Sequence, residues 1–169
     1  MLIKDWWYAI NVCRKYGILW NPFRNRRNAS FFVRWDRNGK ILEKKIQINP
    51  FRKEFKTTFL HEVGHIFLYT SGIVNKIYHK EDRYRRLFER ESLWHGGRLL
   101  SGLLKEESLA SRFARKAMKG KANIPYLVRS FQTYSALGYS EFLHSHSEDA
   151  NTLTRHTDRV CRGIKRIEK

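Results

Sequence analysis

Phe55-Lys56-Thr57-Thr58-Phe59-Leu60-His61-Glu62-Val63-Gly64-His65-Ile66-Phe67-Leu68-Tyr69 is the stretch on which the fold turns. Phe55, Phe59, Val63, Ile66 and Phe67 recur at steps of three and four, the spacing that lines one side of an α-helix. The same window holds His-Glu-x-x-His. Positions i and i+4 share a helical face, so His61 and His65 can aim two imidazoles at one ion, and Glu62 stands beside that face. The apolar residues around the motif place it on a largely buried element, where imidazoles without a partner are costly. Two imidazoles, a carboxylate and an open position for water are a donor set that suits zinc. A carboxylate next to such a site serves as general base for water attacking a carbonyl. Gly64 costs about 1 kcal/mol against Ala in a helix, and its use is to let another segment come close.

A third ligand is sought downstream. Glu107 opens Glu107-Ser108-Leu109-Ala110-Ser111-Arg112-Phe113-Ala114. Ala110, Phe113, Ala114 and Ala117 form an apolar stripe, and Glu107 falls on the side of Ala110 and Ala114. An inward carboxylate needs a cation or donors, which makes Glu107 the first choice. Glu106 stands about 100° away and is the fallback, and His79 and His95 remain as alternatives in charged or glycine-rich surroundings. An oxyanion also needs a donor. Tyr134, Tyr139 and His144 are candidates, and the sequence does not choose among them. His144-Ser145-His146 and His156 read as solvated.

Outward from the motif, Asp5 to Tyr16 reads as a helix capped by Asp5 and ended by Gly17. Ser30 to Trp35 and Ile41 to Asn49 read as strands. They are joined at Asn38-Gly39, a dipeptide that suits a two-residue hairpin turn, and Pro50 stops the second. Ser71-Gly72 closes the motif helix. Lys80 to Leu93 is charged and helical in pattern, and His95-Gly96-Gly97 reads as a break. Leu103 to Met118 forms the next helix. Pro125 opens another that Gly138 ends near Leu137, and a last helix covers Ser147 to Ile167. Helix, hairpin, then helices is an α+β order. The expected organisation is a small antiparallel sheet packed on a mainly helical domain over 1–120, with 121–169 as a helical C-terminal extension.

Composition narrows the class. The chain of 169 residues carries a formal net charge of +18, which favours polyanion contact and makes nucleic acid an expected partner. No zinc-finger or other base-reading spacing accompanies the charge. Cys13 and Cys161 are too few for a disulfide framework or a cysteine-based metal site, and both read as reduced, buried thiols. No apolar run approaches the roughly 18 residues of a membrane span, and charges interrupt the N-terminal apolar stretch, unlike a signal peptide. The expectation is a basic cytoplasmic protein with no membrane partner.

The strand Ile46-Gln47-Ile48-Asn49-Pro50, the helix Phe59-Leu-His-Glu-Val-Gly-His-Ile-Phe-Leu-Tyr69 and the later Glu107-x-x-Ala110-x-x-Phe113-Ala114 together resemble the ImmA/IrrE-type metallopeptidases. These are compact gluzincin-like domains of bacteria, phages and mobile elements. The resemblance covers roughly Ser30 to Met118. It implies a zincin-like domain with a hairpin beside the motif helix and a substrate strand docking along the sheet edge, and against the shorter family gap 73–102 reads as an insertion. It implies zinc held by His61, His65 and Glu107, with Glu62 as general base. It further implies a protein substrate, since family members cut transcriptional repressors that sit on DNA. Two other classes stay open: a non-catalytic nucleic-acid-binding protein with a structural zinc site, and an inhibitor or adaptor acting through the basic surface. Glu62 separates them, because a structural site has no use for a base beside its ligands.

Overall fold

The computed structural model describes residues 3–22, 29–74, 93–119, 121–145 and 150–169. Among them are five helices and one three-stranded sheet, an α+β architecture. The helices are α1 (Ile3–Tyr16), α2 (Phe55–Thr70), α3 (Leu93–Ala117), α4 (Ile124–Ser145) and α5 (Ala150–Glu168); the strands are β1 (Leu19–Asn21), β2 (Ser30–Trp35) and β3 (Ile41–Gln47). The chain forms two compact units, one from 1–71 with 113–123 and the other from 72–112 with 124–169.

In the first unit the sheet order is β1-β3-β2, with β2 antiparallel and β1 parallel to the central β3. The sheet is therefore mixed rather than purely antiparallel. β1 holds only three residues, too few for a pattern to show in the sequence. The hairpin also differs from the expected two-residue turn. Trp35 pairs with Ile41 after an irregularity at Arg34/Trp35, which leaves five residues to turn the chain. The Asp36 carboxylate organises them by accepting from the backbone N–H groups of Asn38 and Lys40 at 2.9 and 2.8 Å, and Gly39 takes a φ of 78°. An aspartate that binds its own downstream backbone builds a turn as readily as Asn-Gly does.

Side chains alternate across β2 and β3. Phe31 and Val33 are partly covered while Phe32 and Arg34 are exposed, and Ile46 and the following Ile48 are fully buried. The covered face meets α2, which buries Phe55, Phe59, Leu60, Val63, Ile66 and Leu68. α1 adds Ala9 and Cys13 to this core. Trp20 packs against Trp6, Phe55 and Phe59, with ring centroids 5.6–6.4 Å apart. Burying an aromatic or branched side chain stabilises by about 1.5–3 kcal/mol, so this cluster holds the sheet to the helix. Asn49 Oδ1 accepts from the Phe51 N–H at 2.9 Å and turns the chain from β3 into α2. At the other end Ser71 N–H closes on the Phe67 carbonyl at 2.9 Å, and Gly72 takes the positive φ of 70° that ends the helix.

The same unit includes the end of α3. Phe113 stacks on Phe67 at 5.2 Å. Thr57 Oγ1 donates to Met118 Sδ at 3.5 Å, and Asn123 Nδ2 donates to Glu54 Oε1 at 2.9 Å.

In the second unit α3 starts at Leu93, so His95-Gly96-Gly97 lies inside a helix instead of breaking one. Gly138 likewise lies within α4, which runs on to Ser145. A Cβ at Gly138 would stand 2.9 Å from Leu100 Cδ1, so the residue permits close helix packing. α5 is described from Ala150, and its expected start at Ser147 lies outside the described residues. Leu100, Leu104, Leu127, Phe131 and Ile167 are buried here. His156 is buried too, contrary to its expected solvation, and stacks on Tyr139 at 4.2 Å. Cys161 is exposed, not buried, whereas Cys13 is buried as expected. The charged pattern of Lys80 to Glu91 lies outside the described residues.

Candidate metal centre

His61 and His65 sit one turn apart on α2, and their Nε2 atoms converge to 3.1 Å. His65 is buried, and its ring lies flat against Phe31 of β2, with centroids 4.7 Å apart and planes 4° from parallel. Tyr69 extends this aromatic wall, with Phe31 at 5.1 Å and Trp35 at 6.0 Å. The wall fixes the His65 ring plane, and hence the direction of its nitrogen. His61 is half-buried and meets the His65 ring edge-on at 82°. Glu62, between them in sequence, is buried.

Among the described residues, His61, His65 and Glu107 form a group able to hold a metal ion, with one ligand atom from each lying within 4.8 Å of the others. Glu107 is half-buried and stands less than two turns upstream of Phe113 on the unbroken α3. Glu106 is buried and does not join the group. The choice between neighbouring glutamates thus falls on Glu107. Of the alternatives, His79 lies outside the described residues, and His95 lies on the first turn of α3.

Of the oxyanion candidates, all three lie on α4. Tyr134 is exposed. Tyr139 is engaged by its stacks on His156 and Phe142. What sequence reasoning missed is Phe31. Its signal was present in the alternation of Ser30 to Trp35, which places Phe31 and Val33 on one face, but nothing in the sequence names a histidine as the partner.

The arrangement can bind a cation through two neutral imidazoles and one carboxylate, with a second carboxylate, Glu62, next to the ligands. The chain matches no family model, no curated protein and no solved structure.

Proposed function

We propose that the protein is a zinc-dependent peptidase that hydrolyses a peptide bond in a protein substrate. The observation that carries this reading is the 3.1 Å approach of His61 and His65 Nε2 in a group completed by Glu107. Two imidazoles and one carboxylate, with room for a water ligand, are a donor set whose chemistry suits zinc. His61, His65 and Glu107 would hold it. Zinc, when bound, supplies Lewis acidity and makes water nucleophilic near neutral pH. Glu62 takes the water's proton on its carboxylate and returns it to the leaving amine. Phe31 holds the His65 ring in its ligating orientation.

The resemblance to ImmA/IrrE-type metallopeptidases favours a DNA-associated regulator as substrate. The +18 charge supports a nucleic-acid-bound partner, and the resemblance, not the charge, is the ground for a cell of bacterial or phage-infected type. The same charge supports a second reading, a nucleic-acid-binding protein whose zinc is structural. Glu62→Gln used as a trap tests between them. Under the peptidase reading it enriches a protein that the wild-type chain cuts when the two are mixed. A trapped protein that the wild-type chain leaves intact favours the second reading.

A further inference from the structure

The second unit carries an arginine stripe that is no part of the metal centre. Arg155, Arg159, Arg162 and Arg166 stand on α5 at steps of four, three and four. At 3.6 residues per turn these positions fall within about 60° of arc and extend about 16 Å along the helix. The stripe flanks the buried face formed by His156, Gly163 and Ile167. Of the two acids of α5, Glu168 projects from another sector of the helix, and Asp158, about 40° from Arg162, is one negative charge beside four positive ones.

These side chains are held near one another at a cost. Arg159 and Arg166 are only partly exposed. Burial and the facing guanidinium groups of Arg162 and Arg155 weaken the hold of Arg159 on its proton. Burial, Arg112 and Arg162 do the same to Arg166. Arg112 comes from α3, and its Nε is buried with no hydrogen-bond partner. Arg166 donates at 2.6 Å to Ser108 Oγ, a neutral hydroxyl that is itself fully buried. A buried N–H with no acceptor is costly. An anion laid along the stripe would relieve the repulsion.

We propose that Arg155, Arg159, Arg162 and Arg166 of α5, with Arg112 of α3, form a binding site for the phosphate backbone of a nucleic acid. Guanidinium groups pair bidentately with phosphate. A row about 16 Å long suits successive phosphates of a strand better than one isolated phosphate group. Arginine side chains set as a row on a helix flank, with no base-reading residues among them, contact backbone without choosing sequence. The proposal gives a location to the nucleic-acid partner inferred above from charge alone, and rests on that inference.

Fluorescence polarisation with a labelled mixed-sequence 20-nucleotide strand and the matching duplex tests it. The variant Arg155→Gln/Arg159→Gln/Arg162→Gln is compared with an equal charge loss in the first unit, Arg37→Gln/Lys40→Gln/Lys53→Gln, all exposed positions. The double variant Arg155→Gln/Arg162→Gln, at two exposed sites, covers the case in which the triple variant does not fold. The stripe variants should raise Kd at least tenfold. They should also reduce the slope of log K against log salt by about 0.7–0.9 per contact removed, while the control changes Kd less than threefold. Equal weakening by stripe and control would overturn the site but leave the nucleic-acid partner standing. Absence of wild-type binding at low salt would overturn the partner as well. Displacement of the strand by polyglutamate at lower charge concentration than by inorganic polyphosphate would overturn the phosphate chemistry.

Discussion

Glu62 and Glu107 are chemically alike and are given different surroundings by position. Glu107 shares a ligand group with two histidines, while Glu62 is buried next to them on α2. Glu107→Ala should therefore weaken zinc binding by tenfold or more, read by competition with a chromophoric chelator. Unchanged affinity would remove Glu107 from the site. The cysteines separate as clearly. Burial pushes the Cys13 thiol up to about 11, so it is both inaccessible and protonated, whereas Cys161 is exposed. A thiol reagent at neutral pH should label one cysteine per native chain, lost in Cys161→Ser, and two after denaturation. Fast labelling of both in the native protein would contradict the packing of α1.

Two glycines and one histidine decide how the helical elements meet. A Cβ on Gly163 would lie 2.3 Å from Phe131 Cζ, a distance no pair of carbons sustains. Gly163→Ala should destabilise by about 1–3 kcal/mol in denaturant unfolding, and Phe131→Leu in the same chain should recover part of the loss. His156 stacks on Tyr139, and burial with the nearby Arg159 charge holds its pKa below the ordinary 6.5. Below 6.5 the unfolded chain therefore binds more protons at this residue than the folded one. Stability from His156 is complete above that value and declines as the pH falls below it. His156→Phe should flatten that slope in urea unfolding followed from pH 7.5 to 5.

The same elements show what the sequence makes legible. α1, α2, β2 and β3 carry strong periodicity or clear end signals, and each stands within a residue or two of its expected bounds. Gly96, Gly97 and Gly138 misled because glycine marks both a chain end and a close helix approach. Only the neighbour distinguishes the two, and at Gly138 that neighbour is Leu100. His61 and His65 were legible from spacing. Phe31 was not, since its role arises from a strand meeting a helix about thirty residues away.

Over the whole molecule, net positive charge dominates. The +18 imbalance leaves the folded chain repelling itself, and the opposed arginines of α5 are one local expression of it. Raising NaCl from 50 to 300 mM should raise the melting temperature by screening that repulsion; a fall would mean that attractive pairs outweigh it. No helix among the described residues is long and apolar enough to cross a membrane.

The central claim, that His61, His65 and Glu107 together hold one zinc ion, meets its most direct test in the metal itself. Elemental analysis and zinc K-edge absorption on the dialysed full-length protein should give one zinc per chain. The first shell should show two imidazole nitrogens at about 2.0–2.1 Å with oxygen completing it. Glu62→Gln should keep that spectrum and His65→Ala should lose the metal. A protein that takes up no zinc, or that retains a full equivalent in His65→Ala, would contradict the account.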